Sequence, residues 1–430
     1  MYLIYEIFIW IFFTVSSPFF IYKFFTTEKY RAGLKERLGL YNWKKIQKTE
    51  KKRIWIHAVS VGETMAASFL ASQLHKKIPD CEIFFSTTTV TGQKTAQNRV
   101  KWAHKIFYFP LDFSFAVKRA IKQVNPDICI LIETEIWPNF LRICKKEGIP
   151  IIIANGRLSE KSFKGYKRLG PIIKRILQDI TLFSMQTNAD AERIKRLGAA
   201  EDRIRVVGNI KFDQALASSK TVKKEEIRKK FNIPTDKFIL LFASTHSGEE
   251  KILIPLFKKL KEEKENLFLI IAPRHPERFD EVASIIEKEG MSYLRRTNIE
   301  NSNSNAAKGY DILLLDSVGE LYMLFSVCDL VFMGGSLVPV GGHNLLEAAV
   351  FGKPTVFGPH MHNFRDIASI IISNKAGYQV SNEKELIQIM KHFIDNPTEL
   401  SEASNNCKLI FDENSGATDK NVEIIKGLIL

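Results

Sequence analysis

The chain has 430 residues, too many for one ordinary core, so two domains of about 100–200 residues each are expected. Hydrophobic residues make up 45%, which excludes global disorder. The formal net charge of +14 favours an anionic partner, and the lack of an RNA-binding signature or zinc finger argues against nucleic acid.

Residues 7–22 carry no charge and are dense in Phe, Ile and Trp, with Glu6 and Lys23 at the borders. A bilayer span needs roughly 20 apolar residues, and Phe24 and Phe25 lengthen this one past Lys23. No small-residue cleavage site follows, so residues 1–25 read as a retained membrane anchor rather than a removed leader. Lys23, Lys29, Arg31, Lys35 and Arg37 come next, which by the positive-inside rule keeps the rest of the chain on the cytoplasmic side. The alternative is a buried apolar helix. The anchor precedes the first strand and is expected to add nothing to either sheet.

β-rich runs at 54–59, 82–87, 106–109, 127–133, 149–154, 182–186 and 204–207 alternate with helical patterns. Several are apolar throughout, as for strands covered on both faces. This alternation predicts a parallel, doubly wound sheet over 26–213. Residues 214–236, rich in Lys, Ser and Glu, read as an interdomain connection with one helix near 223–231. A second series at 238–243, 267–272, 312–315, 330–333 and 355–357 predicts a second such domain over 237–412. Residues 298–308 read as a surface loop. Residues 413–430 read as a helix that crosses back to the first domain. Five cysteines without metal spacing read as buried free thiols in a reducing compartment.

Ligands of open α/β sheets bind beyond the carboxyl ends of the strands, and two facing sheets would make a cleft there. The distinctive residues fall at those junctions. His57-Ala-Val-Ser-Val-Gly-Glu63 ends a strand and opens a helix. Glu63 is either a cleft carboxylate able to take a proton or a first-turn charge favoured by the helix dipole. Glu133-Thr-Glu135-Ile-Trp-Pro-Asn139 follows the apolar strand at 128–132, and alternate residues of an extended chain would project Glu133 and Glu135 together. Glu135 as a helix cap is the alternative. Gly208-Asn-Ile-Lys-Phe-Asp213 sets Lys211 in a turn, either solvated or facing a developing negative charge.

In the second domain, Ala272-Pro-Arg274-His275-Pro276 offers a guanidinium fork suited to a phosphate or carboxylate. Gly334-Gly-Ser-Leu-Val-Pro-Val-Gly341-Gly-His-Asn-Leu-Leu-Glu347 pairs four glycines with a helix start near Asn344. Glycines allow close backbone approach, and free N–H groups at a helix start attract phosphate. Glu347 either closes a capping box or accepts ribose hydroxyls. His246, His275 and His343 lack the His-x-x-x-His spacing of a metal site. No Walker A loop or GxGxxG appears, which argues against an NTPase or dehydrogenase.

Taken in order, HAVSVGE, TTTVTG, ETEIWPN, NGRLS, MQTNADAERIKRLGA, GNIKFD, APRHPERF and GGSLVPVGGHNLLEAA resemble the transferases that attach 3-deoxy-D-manno-octulosonic acid (Kdo) to lipid A precursors. The resemblance covers nearly the whole chain; one departure is Gly156, where Ala is commoner. It implies a two-domain GT-B fold, CMP-Kdo as donor, a phosphorylated lipid A precursor as acceptor, and inverting transfer without metal or further cofactor. On matching positions it implies Glu63 as general base and Glu133 and Lys211 as transition-state stabilisers. It implies CMP binding by Pro273 and Arg274, by Val318, Gly319 and Glu320, and by Asn344, Leu345, Leu346 and Glu347. Rival expectations are another GT-B nucleotide-sugar enzyme, such as an epimerase, or a non-catalytic membrane-tethered lipid-binding module.

Overall fold

A computed structural model describes residues 2–43, 49–299 and 309–429. The chain forms two compact units, Met1–Gln214 with Asn414–Leu430, and Ala215–Glu413.

The first unit holds a parallel sheet of β1 (Lys52–Ala58), β2 (Cys81–Thr87), β3 (Lys105–Tyr108), β4 (Ile128–Ile132), β5 (Ile151–Gly156), β6 (Leu182–Met185) and β7 (Ile204–Val206), in the order β3-β2-β1-β4-β5-β6-β7. All five residues of β4 are buried, because helices cover both faces. Side chains alternate across the sheet: Trp55 joins Phe84, Phe107 and Phe140 in one layer, while Ile54 and Ile56 join Leu70 and Ala67 in the other. Strand order reverses between β1 and β4, paired from Ile54↔Ile128 to His57↔Leu131. That reversal is the switch point at which doubly wound sheets open a crevice.

The helix Ala417–Ile429 completes this unit. Its Val422 and Ile425 fill the same layer as Ile54 and Leu70. Asp213 fixes its start, accepting the N–H of Gly416 and of Thr418 at 2.6 Å each. At Gly156 an added Cβ would lie 2.6 Å from Met185 Sδ, so glycine suits this neighbour.

The second unit holds β8 (Phe238–Thr245), β9 (Leu267–Pro273), β10 (Tyr293–Arg295), β11 (Ile312–Leu314), β12 (Leu330–Met333), β13 (Thr355–Phe357) and β14 (Gly377–Gln379), ordered β10-β11-β9-β8-β12-β13-β14. Its reversal lies between β8 and β12. β10 and β14 were not expected. Each is a three-residue edge strand without a fully buried apolar run.

In the chain between β7 and β8, the helices Ile210–Ser219 and Lys224–Lys230 occupy much of 210–236. The loop expected at 298–308 lies mostly outside the described residues; Asn298 and Ile299 close a short helix, Arg296–Ile299.

The N-terminal helix Tyr2–Thr26 buries none of its residues fully. It adds nothing to the strands of the sheet, yet it is pinned to the first unit through residues outside them. Tyr2 donates its hydroxyl to Asp179, Tyr5 donates to Asp112 at 2.9 Å, and Glu6 accepts from Ser114 and Asn139 at 2.6 Å each. The sequence reading missed this because the partners lie over a hundred residues away in the chain.

Candidate functional site

Glu63 opens the helix Val61–Lys77 directly beyond β1. Ser60 caps this helix and Glu63 reaches back, forming a capping box. Glu63 Oε1 accepts from the Ser60 hydroxyl at 2.7 Å, and Oε2 accepts the N–H of Val59 at 2.8 Å. Burial raises its proton affinity above the usual carboxylate range, partly offset by those hydrogen bonds and reinforced by Glu133. The half-buried carboxylate is thus both cap and candidate base.

Glu133 leaves β4 in the left-handed region, at φ 60°. Such a backbone costs a non-glycine residue of order 1–3 kcal/mol and is held only where its surroundings fix it. Here the N–H of Glu133 still donates to Ala154 O at 3.0 Å. The twist breaks the extended alternation expected for Glu133 and Glu135. The two carboxylates still influence each other: Glu135 is pushed up to about 7, first by burial, then by Glu63 and Glu133.

Lys211 stands in the first turn of the helix Ile210–Ser219, not in a turn as the sequence suggested. The side chains of Asn155 and Asn209 set this helix start, accepting the N–H of Ile210 and of Lys211 at 3.0 Å each. Lys211 Nζ then lies 3.2 Å from Glu133 Oε1. Glu63, Glu133, Glu135 and Lys211 therefore gather where β1 and β4 diverge, and the ammonium compensates part of the negative charge. His57, in the same motif, is fully buried, stacked on Phe109 and bonded to Ser86; burial pushes it down to about 3, so it stays neutral.

In the second unit Glu249, which ends the post-strand motif Ser244-Thr-His246-Ser-Gly-Glu249 and to which the sequence reading gave no role, dominates the switch point. Its buried carboxylate accepts the N–H of His246 at 2.9 Å, Gly335 at 2.7 Å, and Ser336 and Leu337 at 3.0 Å each. The glycine loop was read as a phosphate cradle, yet three of its amides are taken by this side chain. Gly334 is needed for another reason: a Cβ there would sit 2.3 Å from Ser244 O. Gly341 and Gly342 have φ of 112° and 71° and press on Asn363 and Met361. One signal was available: Gly62-Glu63 after β1 is echoed by Gly248-Glu249 after β8.

Pro273 is the last residue of β9. Arg274 follows with an exposed side chain and its N–H on Thr245 O at 3.0 Å. Its charge acts on Glu347, which burial pushes up to about 7 against the opposing effects of Asn344 and Arg274. The expected helix start at Asn344 falls slightly later: the helix spans Leu346–Ala349 behind Leu345, and Asn344 Oδ1 accepts the N–H of Leu346 at 3.2 Å. No side-chain cap closes it. His246 and His343 meet Nε2 to Nε2 at 2.9 Å, and burial, then neighbouring cations, push His343 down to about 4.

Val318 is 77% exposed and Gly319 has φ 90°. The Glu320 carboxylate is already occupied, by Lys230 at 2.6 Å, Ser317 at 2.6 Å and Arg296 at 3.0 Å. Burial would raise it, but these partners hold it down to about 2. Among the described residues no group of three or more His, Cys, Asp or Glu side chains is placed to hold a metal ion.

Two parallel Rossmann-like sheets, each with polar residues at its switch point, make this a protein of the GT-B fold class. Residues 32–214 match the family described as 3-deoxy-D-manno-octulosonic-acid transferase (kdotransferase), and 223–409 match glycosyl transferases group 1. A 3-deoxy-D-manno-octulosonic acid transferase of Haemophilus influenzae is 33% identical over 93% of this chain and 92% of that protein. A bifunctional glycosyltransferase/methyltransferase of Fusobacterium nucleatum is 34% identical over 90% of this chain; the chain spans 59% of that protein's length. A UDP-GlcNAc 2-epimerase structure from Neisseria meningitidis covers 87% of this chain and 100% of its own, with TM-score 0.62 and 11% identity, a likeness of fold alone. The chain belongs to the 3-deoxy-D-manno-octulosonic acid transferase family.

Proposed function

We propose that this enzyme moves Kdo from CMP-Kdo to a hydroxyl of a phosphorylated lipid A precursor of the lipid IVA type, with inversion, at the cytoplasmic face of an inner membrane. The observation that carries this reading is the Glu63, Glu133 and Lys211 cluster at the first switch point, in a chain of this family. The acceptor hydroxyl attacks the anomeric carbon as its bond to the CMP phosphate breaks. Glu63 takes the hydroxyl proton, and its burial suits it to that task. Glu133 offsets the positive charge that develops on the sugar, and Lys211 holds the Glu133 carboxylate in position. CMP leaves with both electrons of the broken bond.

The second unit supplies the nucleotide site. Arg274 takes the phosphate, as the exposed guanidinium beside Pro273 suits a dianion. The main chain of Val318 and Gly319, and residues Asn344, Leu345, Leu346 and Glu347, take the nucleoside. Glu320 acts through position only, since its carboxylate is filled by protein partners. Neither metal nor cofactor enters this scheme. The apolar Tyr2–Thr26 helix and the basic residues behind it hold the enzyme at an anionic membrane surface.

The test is to incubate purified protein with CMP-Kdo and a tetraacylated lipid A precursor and weigh the products. Acceptor gaining Kdo, with release of CMP, is expected. Unchanged acceptor, or turnover of a UDP-sugar instead, would sink the assignment.

A further inference from the structure

The helix Tyr2–Thr26 is long and apolar enough to cross a bilayer. Its contacts argue for another placement. Its partly covered residues include Tyr2, Tyr5, Glu6, Ile9, Ser16, Ser17, Phe20 and Lys23, a helical spacing that marks one face along the whole element. That face carries the groups that bind the first unit. Tyr2 and Tyr5 reach Asp179 and Asp112, Glu6 reaches Ser114 and Asn139, and the Arg142 guanidinium lies 5.2 Å from the Tyr2 ring centre. Trp10 packs on Phe113, with ring centres 4.8 Å apart. At the other end, Phe19 and Phe20 meet Tyr30, and the chain runs on through Arg37, which donates to Thr88 O and stacks over Tyr108. Both ends are thus held by the same unit.

The opposite face is apolar apart from the hydroxyls of Tyr22 and of Thr14, the latter donated to Trp10 O at 2.8 Å. Leu3, Ile4, Ile7, Phe8, Ile11, Phe12, Val15, Phe19 and Tyr22 are exposed, with Leu3 at 73% and Val15 at 75%. A crossing helix must put its ends on opposite sides of about 30 Å of hydrocarbon. Glu6 cannot do so while it is bonded to Ser114 and Asn139 of a unit whose other residues follow the helix.

We infer that this helix lies in the plane of the membrane surface, on the same side as the catalytic units, with its outer face in the acyl layer of one leaflet. The occupant of that face is an anionic bilayer: the stripe is apolar from Leu3 to Tyr22, and Lys23, Lys29 and Arg31 follow at headgroup level. This rests on the proposal that the enzyme works at a membrane, and it replaces the spanning anchor with a monotopic one.

Phe8→Cys, Val15→Cys and Tyr22→Cys place probes one heptad apart on the outer stripe of the full chain; the five native cysteines are buried and stay silent. Each variant carries a fluorophore and is bound to phosphatidylethanolamine vesicles with a minor share of phosphatidylglycerol, containing lipids spin-labelled at different depths. The in-plane helix predicts equal, shallow depths for the three probes. A spanning helix would separate the first and third by about 21 Å along the membrane normal, with Val15 deepest, and that result overturns the inference. A protease site added ahead of Met1 gives an independent reading in membrane vesicles. It should be cut in inverted vesicles and spared in intact spheroplasts; the reverse overturns the inference while leaving membrane attachment intact. Failure of the full chain to bind vesicles at all would overturn the membrane proposal itself.

Discussion

Lys211 Nζ lies 3.2 Å from Glu133 Oε1, joining residues 78 apart in sequence at the point where β1 and β4 diverge. The pair sets a positive charge against a carboxylate that stands in a left-handed backbone beside two other carboxylates. Removing the ammonium should therefore do more than remove one hydrogen bond.

Lys211→Ala is expected to lower kcat by about 10²–10³, the usual cost of a lost transition-state charge. Glu133→Gln should cost a similar factor, and the double variant less than the product of the two, because the groups act together. Rates within about threefold of the parent enzyme, with unchanged melting, would remove both from the mechanism.

Glu63→Gln keeps one acceptor oxygen for the Val59 and Ser60 donors but loses basicity. Turnover should fall by about 10²–10⁴, while the weakened cap lowers stability by only about 0.5–2 kcal/mol. Initial rates and a thermal melt on the same preparation separate the two roles. A large loss of stability with near-normal turnover would leave Glu63 as a cap alone.

Glu249→Ala strips the acceptor from four backbone N–H groups. Buried donors without partners are costly, and a loss of about 2–4 kcal/mol is expected, with CMP affinity falling as the loop Gly334–Gly342 loosens. Denaturant unfolding and calorimetric CMP titration check this. If stability is unaffected, solvent reaches those amides and the loop is not locked.

Glu347 is pushed up to about 7 by burial, so it is half protonated near neutrality. On the proposed nucleotide site its ionised form accepts the ribose hydroxyls, so CMP affinity should rise as pH climbs through that value and fall below it. A hydrogen bond to a charged group is worth about 1.5–3 kcal/mol, which sets a swing of about 10- to 100-fold. CMP has its own phosphate ionisation, so the readout is the difference between the parent and Glu347→Gln, which should lack this step. Parallel profiles for the two proteins would exclude Glu347 from nucleotide binding.

Deleting residues 1–25 removes the Tyr5 partner of Asp112 and the Glu6 partner of Ser114 and Asn139. Release from membranes should come with a loss of about 1–3 kcal/mol in the first unit. Tyr5→Phe in the full chain should show part of this loss without release. An undiminished melt of the truncated protein would mean that these contacts contribute nothing.

Much of this protein is local in its sequence. Apolar runs such as Ile128-Cys-Ile-Leu-Ile132 can only be strands covered on both faces, and their alternation with helical patterns requires crossovers and a parallel sheet. The polar motifs fall at the strand ends for the same reason, so Glu63, Glu133 and Lys211 were visible as residues of the sheet rim. Tertiary structure alone decided how their side chains are used. Glu249 binds amides about ninety residues away, so four glycines that suggest a phosphate cradle instead serve close packing and an internal carboxylate. Glu320 is spent on Arg296 and Lys230, and Glu133 reaches Lys211 only because β4 ends in a left-handed turn. The two short edge strands needed a neighbour to exist, and the apolar N-terminal helix revealed its polar face only against Asp112 and Asn139. Periodicity fixes what a segment buries, because burial depends on the pattern within one element. Which donor meets which acceptor depends on elements brought together from distant parts of the chain, and no single window of sequence contains both.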